Sequence, residues 1–60
     1  MPMTAQEVIK RLKREGWIEA RQTGSHMQLY KDGQRITVPV HKGDLKPGVE
    51  RDIKKKAGWL

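Results

Sequence analysis

The 60-residue sequence contains no cysteine, and its two histidines are too few for a structural zinc site unless acidic residues help. Disulfides cannot brace the fold, so stability must come from packing, alone or with a partner. A chain this short buries roughly 60% of its unfolded surface, which indicates one domain over residues 1–60. The lack of cysteine fits a reducing cytoplasm, and no stretch is typical of a signal peptide or a membrane span. We expect a cytoplasmic protein without membrane contact.

Negative charge is scarce in this sequence. Seven Asp and Glu residues stand against 13 Lys and Arg residues, for a formal net charge of +6. Cations placed along a phosphate backbone release condensed counterions, which favours binding without any base contact. The composition therefore favours a polyanionic partner, with a merely soluble basic surface as the simpler alternative.

Recognisable sites for nucleophilic or nucleotide chemistry are also missing. The sequence has no serine or cysteine nucleophile constellation. Gly43-Asp44 with Lys46-Pro47-Gly48 lacks the spacing of a phosphate-binding P-loop. Nucleotide hydrolysis is therefore not expected.

Two amphipathic helices flank the central part of the sequence. Thr4 begins a capping box and Gly16 supplies a left-handed stop, which predicts a first helix over residues 5–15. Lys46-Pro47 opens the second helix and Gly58 closes it. Apolar residues recur at helical spacing and predict the inward faces. These residues are Ala5, Val8, Ile9, Leu12, Val49, Ile53 and Ala57.

Between the helices the apolar pattern changes to period two, which predicts a three-stranded antiparallel meander. Thr23-Gly24 marks the first turn, and Asp32-Gly33 is a two-residue hairpin turn between strands at 26–31 and 35–40. Pro39 cannot donate to a ladder, so the third strand is expected to be an edge strand or to end there. The predicted fold is α+β, in the order α-β-β-β-α with both helices on one face, the layout of double-stranded-RNA-binding domains.

Alternation along the strands divides the sheet into two faces. The residues expected beneath the helices are Ile18, Ala20, Met27, Leu29, Ile36, Val38 and Val40. The uncovered face is expected to carry Glu19, Arg21, His26, Gln28, Tyr30, Arg35 and Thr37. This second set has no reason to be buried by this chain alone.

His26 is the candidate catalytic residue, because it follows the turn at Gly24-Ser25 and projects from a strand beside a mobile loop. RNA cleavage without a metal needs a base for the proton of the 2′-hydroxyl and an acid for the leaving oxygen. Histidine, with an unperturbed pKa of about 6.5, can do either at neutral pH. A surface histidine without any role is the alternative.

Other residues could contact RNA around His26. Arg21, Lys31 and Arg35 are candidate phosphate ligands, and Tyr30 could stack on a base. Further candidates for substrate contacts are Ser25, Gln28 and His41, although His41 could instead hydrogen-bond locally. A metal site of His26, His41 and Asp44 is formally possible, but no ligand spacing recommends it.

The residues near the helix ends have structural interpretations. Trp17 and Trp59, each beside a helix-ending glycine, are expected to be packing anchors rather than base-stacking platforms. Lys54, Lys55 and Lys56 are typical of a solvated helix face, which in this layout could also follow phosphates.

A set of short motifs, taken in order and spacing, resembles the HicA toxins of bacterial toxin–antitoxin systems across nearly the whole chain. The motifs are Gly16-Trp17, Gly24-Ser25-His26, Thr37-Val38-Pro39-Val40-His41, Asp44-Leu45-Lys46-Pro47-Gly48, Ile53 and Ala57-Gly58. Family members commonly have Thr after the glycine that opens the second helix, whereas Val49 follows Gly48 here. That departure bears on helix capping or substrate contacts and not on the histidine.

This resemblance implies a ribosome-independent toxin that cleaves mRNA without a metal or cofactor. It also implies a cognate HicB antitoxin that masks the uncovered face and holds the toxin inactive. The family's catalytic histidine falls on His26, and the histidine of the Val-Pro-X-His stretch falls on His41.

Three hypotheses follow from the sequence. The first is a metal-independent endoribonuclease with His26 as general acid or base, and the sequence does not decide between these two roles. The second is a non-catalytic RNA-binding module that uses the same basic surfaces. The third is a protein-binding domain whose positive charge is incidental.

Overall fold

The fold has the element order that the sequence predicts. The computed structural model describes residues 3–40 and 42–60. Its elements are α1 (Ala5–Arg14), β1 (Ile18–Thr23), β2 (His26–Lys31), β3 (Gln34–Pro39) and α2 (Pro47–Ala57). The strands form one antiparallel sheet in the order β1-β2-β3, which confirms the predicted α-β-β-β-α meander and places β3 at an edge. The third strand begins and ends one residue earlier than predicted.

The predicted capping residues fix both ends of α1. The Thr4 hydroxyl accepts a hydrogen bond from the Glu7 N–H at 3.2 Å, and the Glu7 carboxylate accepts one from the Thr4 N–H at 2.9 Å. Gly16 has a φ of 99° and lets the Trp17 N–H donate to the Leu12 carbonyl at 2.9 Å. This Schellman closure turns Trp17 into the core, where it is 5% exposed, and confirms its role as a packing anchor.

The core lies between the helices and one face of the sheet. Its buried residues are Ala5, Val8, Leu12, Trp17, Met27, Leu29, Ile36, Val38, Leu45 and Ile53. Ile9, Val40, Val49 and Ala57 pack at the margin and are partly buried, as is Trp59. The alternation predicted for β2 and β3 is therefore confirmed, whereas β1 contributes no buried residue.

The prediction for the start of β1 is wrong because a β-bulge interrupts the strand. The register of β1 against β2 shifts between Glu19 and Arg21, so one extra residue reverses the alternation before it. Ile18 consequently faces away from the helices and is 71% exposed, and Ala20 at the bulge is exposed as well. Glu19 turns to the helix side, where its carboxylate lies 2.6 Å from the Lys13 ammonium.

Two carboxylates connect the chain ends to the rest of the fold. Glu15 accepts a hydrogen bond from the Trp59 Nε1–H at 2.6 Å and one from the Arg11 guanidinium at 3.2 Å. Glu50 accepts one from the Met3 N–H at 2.7 Å and lies 2.8 Å from the Lys54 ammonium. The first contact holds the end of α2 against α1, and the second holds the segment before α1 against α2.

These contacts lower the pKa of both carboxyl groups. For Glu15 the main cause is the hydrogen bond from Trp59, with further lowering by Arg11 and Lys31. For Glu50 the main cause is Lys54, followed by the Met3 N–H. The ionised carboxylates therefore favour the folded state.

Neither helix in the described residues is long and apolar enough to cross a membrane.

Because the bulge leaves Ile18 exposed, an isoleucine-to-threonine substitution should cost less stability at Ile18 than at the buried Ile36. Ile18→Thr should change the free energy of unfolding by at most about 0.5 kcal/mol, because this side chain is exposed and threonine keeps the β-branch. Ile36→Thr, at a residue 1% exposed, should cost about 2–4 kcal/mol by removing apolar contacts and burying a hydroxyl. Urea denaturation of the two variants measures both values. Equal losses at the two positions would contradict the assigned register.

The lowered pKa values of Glu15 and Glu50 predict how the free energy of unfolding changes with pH. Their folded-state pKa values lie below the ordinary value of 4.5, so their contribution is present above that pH and lost as the pH falls through the lowered values. Glu15→Gln and Glu50→Gln should each flatten the acid limb of the unfolding free energy, and the double variant should flatten it further. Thermal or urea unfolding between about pH 2 and pH 7 tests this. A double variant with the parent's acid limb would refute it.

Candidate functional site

The uncovered side of the sheet presents three rows of paired residues, which we call the open face. Residues that pair across antiparallel strands point to the same side of the sheet. The rows are Thr23, His26 and Pro39; Arg21, Gln28 and Thr37; and Ile18, Tyr30 and Arg35. None of these nine side chains is a carboxylate, so the open face carries only positive formal charge. This follows in part from the bulge, which moves Glu19 to the other side.

His26 occupies one end of the open face, at the first position of β2. The turn before it is tight, because Thr23 pairs with His26 and Gly24 has a φ of 59°. The Ser25 carbonyl accepts a hydrogen bond from the Val40 N–H, which ties this turn to the end of β3. His26 is exposed, and the central strand of the sheet fixes its backbone. The imidazole is thus open to a ligand while its attachment is rigid.

Gln28 and Tyr30 continue the central strand away from His26. The Tyr30 hydroxyl donates a hydrogen bond to the Gln28 side-chain carbonyl at 3.2 Å. Tyr30 is 40% exposed and shares its row with Ile18, the more exposed of the two. The structure therefore places a polar pair next to an exposed apolar pair on the same face.

The predicted phosphate ligands separate into two groups. Arg21 and Arg35 lie on the open face, one on each edge strand, and within residues 3–40 and 42–60 neither forms an ion pair. Lys31 lies on the helix side of β2, where its ammonium donates to the Glu15 carbonyl at 2.8 Å. The structure therefore does not bring Lys31 together with His26.

The remaining candidates are Ser25 and His41. Ser25 is an exposed turn residue directly before His26. His41 lies outside the described residues, so its role stays a prediction. In the part of the chain that the structure describes, no three His, Asp or Glu side chains gather in a way that could hold a metal ion.

A cleft of about 430 Å³ lies away from the open face, at the N-terminal end of α1. Its lining residues are Thr4, Ala5, Gln6, Val40, Lys42 and Gly43. None of them is a general acid or base suited to neutral pH. Among the described residues, the imidazole therefore lies on the open face and not in this cleft.

The sequence did not predict one exposed residue of the open face. Ile18 was expected beneath the helices, and the bulge puts it beside Tyr30 instead. The run from Glu19 to Thr23 has Ala20 as its single apolar residue, so the hydrophobic pattern could not specify the register of β1. No signal in the sequence marks the position of the bulge.

The fold and the open face together define a basic α+β domain with the layout of double-stranded-RNA-binding domains. The sequence profile described as the HicA toxin of bacterial toxin–antitoxin systems matches residues 5–59. The chain therefore belongs to the HicA toxin family.

Comparison with known proteins gives the same relationship. Three chains of solved structures match this one. Among them is a chain of a toxin–antitoxin complex from Streptococcus pneumoniae, which is 42% identical and superposes with a TM-score of 0.80. The match covers 95% of this chain and 98% of that one. No curated protein matches the sequence.

The left-handed conformation of Gly24 predicts that a glycine-to-alanine substitution lowers stability there and raises it at Gly48 in α2. Gly24→Ala should cost about 1 kcal/mol, because its φ of 59° strains any residue with a Cβ, although no atom lies within 4 Å of the added carbon. Gly48 lies in the first turn of α2, has no positive φ, and has no atom within 4 Å of an added Cβ. Gly48→Ala should therefore raise the free energy of unfolding by up to about 1 kcal/mol. Unfolding free energies measure both. A similar change in both variants would show that Gly24 does not require its left-handed conformation.

Proposed function

We propose that this protein is the toxin of a type II toxin–antitoxin system and acts as an endoribonuclease on mRNA in the cytoplasm. Its general acid or base is His26, and no metal takes part. The observation that carries the proposal is the position of His26. It is an exposed imidazole, fixed on the central strand at one end of a face that holds two arginines and no carboxylate. Membership of the HicA toxin family supports it.

The proposed cleavage is a transesterification within the RNA. The 2′-hydroxyl loses its proton and its oxygen attacks the adjacent phosphorus, while the bond from phosphorus to the 5′-oxygen breaks and that oxygen gains a proton. A histidine near neutral pH can take the first proton or supply the second. Help of this kind typically amounts to about 10²–10⁴-fold, so one histidine predicts a slow enzyme.

The other open-face residues hold the RNA. Arg21 and Arg35 bind phosphates on either side of the central strand, where no carboxylate competes for them. The Tyr30 ring can stack on a base. The Gln28 side-chain carbonyl accepts a hydrogen bond from the Tyr30 hydroxyl, and the Gln28 amide N–H groups can donate to a base edge. Ser25 is placed to contact the nucleotide at His26. Lys31 is left out of this set because its ammonium binds the Glu15 carbonyl.

A HicB-type antitoxin is the proposed protein partner, covering the open face. Ile18 and Tyr30 are 71% and 40% exposed in the same row, and an exposed apolar pair on a polar surface is typical of a protein contact. The related Streptococcus pneumoniae chain was solved within a toxin–antitoxin complex. A partner on this face would deny RNA access to His26.

Substitution of His26 tests the catalytic claim. In excess chelator, the parent should cleave a long RNA, and His26→Ala should cleave it at least about 100-fold more slowly. The variant should still retard RNA on a gel and unfold within about 0.5 kcal/mol of the parent, because the side chain is exposed. Added imidazole should restore part of the activity.

A control variant and three contradicting outcomes make this experiment decisive. Ser25→Ala changes the neighbouring exposed side chain and should reduce cleavage far less than His26→Ala. Cleavage by His26→Ala at the parent's rate would refute the role of the histidine. RNA that binds the parent but stays intact would favour the non-catalytic RNA-binding module, and cleavage that stops in chelator would refute metal independence.

A further inference from the structure

A second cationic surface lies around the edge of β3, outside the open face. A cleft of about 390 Å³ separates this strand from the C-terminal half of α2. Gln34, Arg35, Lys55 and Lys56 line it. We call it the β3–α2 cleft. All four lining side chains are polar and three are cationic, so the cleft has no apolar anchor point for a peptide side chain.

The charge in this cleft is largely uncompensated. Within the described residues Arg35 and Lys55 form no ion pair. Lys56 lies 3.5 Å from Asp52, but the two side chains are 54% and 63% exposed, so water weakens the pair. Lys54 differs, because its ammonium contacts the Glu50 carboxylate at 2.8 Å and the pair is more enclosed.

The cleft is continuous with the open face through Arg35. This residue pairs with Tyr30 in the open face and also lines the cleft. Tyr30 lies four positions from His26 along β2, or roughly 13 Å at the rise of a β-strand. At the axial rise of about 3.4 Å per nucleotide in a stacked DNA strand, that distance is at most about four nucleotides, and it is fewer for an extended single strand. An RNA strand that crosses the open face from His26 therefore reaches the cleft a few nucleotides later.

We propose that the β3–α2 cleft binds phosphates of the RNA flank, several nucleotides from the bond that is cleaved at His26. The inference rests on the proposed function, because it takes RNA as the ligand of the open face. Lys55 and Lys56 provide the two phosphate contacts, and Arg35 bridges the cleft and the open face. Such contacts add affinity and orientation without reading the base sequence.

The lining favours RNA over a protein ligand at this cleft. A docked peptide typically gains its binding energy from aromatic or apolar anchors in a pocket, and the lining has no apolar or aromatic residue, only the aliphatic stems of its polar side chains. A phosphate backbone needs spaced cations and counterion release, which three exposed cations on two adjoining elements supply. The sequence of the bound flank should therefore matter little, and its length should matter.

A matched pair of double variants tests this, each in the His26→Ala background so that the RNA stays intact. Lys55→Gln with Lys56→Gln removes two charges from the cleft. Lys10→Gln with Lys46→Gln removes two exposed charges elsewhere, and Lys46 makes no side-chain capping bond at the start of α2. Affinity for a single-stranded RNA of about 20 nucleotides is measured by fluorescence anisotropy from about 0.05 to 0.3 M salt.

The cleft variant should lower the salt slope by about 1.4 and the affinity by about 25-fold at 0.1 M salt, since each single-strand phosphate contact contributes about 0.7 to the slope. The control should lose far less, because charges beyond about 10 Å are screened at this salt concentration. With an RNA cut back to one nucleotide on each side of the cleavage site, the cleft variant should bind as the control does.

Equal losses in the two double variants, or a loss that is the same for short and long RNA, would overturn the cleft proposal. These outcomes are separate from those for the proposed function. A cleft variant that binds RNA like the control leaves cleavage by His26 untouched. Conversely, a length-dependent loss supports the cleft even if the parent proves unable to cleave RNA.

Discussion

The two helices cover only one face of the three-stranded sheet, and this one-sided packing determines what the rest of the structure can do. Two helices of 10 and 11 residues cover one face and enclose the buried core. The opposite face must remain in water until another molecule binds it. An uncovered sheet face around a central strand is therefore a consequence of one-sided packing, and the proposed site uses that exposed face.

A core of this size needs help from polar contacts at its margins. The strand β1 buries none of its side chains, so pairing with β2 and the Lys13–Glu19 ion pair hold it in place. Glu15 and Glu50 secure the chain ends through hydrogen bonds to Trp59 and to the Met3 N–H. These hydrogen bonds stabilise the ionised form of both carboxylates in the folded state, so they add stability at the margins of a small core.

Most of the fold could be predicted because its signals are local. The capping box at Thr4, the glycine after α1 and the proline before α2 each act within one turn, and all three lie where the sequence placed them. The alternation of β2 and β3 was predictable because their apolar residues must meet the helices. Leu45 is buried at 3% exposure but was not predicted, because it precedes α2 and belongs to no periodic run.

The site was predictable to the same extent as the strands that carry it. His26, Gln28, Tyr30 and Arg35 share a face because β2 and β3 have strong alternation. Lys31 was proposed as a phosphate ligand from its charge alone, and the structure shows its ammonium at the end of α1 instead. Charge indicates what a side chain can bind, whereas register decides which face it is on.

The bulge in β1 connects the fold to the character of the open face. If Ala20 instead paired with Leu29 in a regular strand, Glu19 would lie on the open face and Ile18 beneath the helices. A carboxylate near Tyr30 would then attract Arg35 and repel phosphates, which would weaken any RNA contact there. With the bulge, Glu19 pairs with Lys13 and Ile18 joins Tyr30. The bulged register thus keeps the open face free of negative charge and gives it an exposed apolar pair, two properties that suit a face proposed to meet both RNA and a protein.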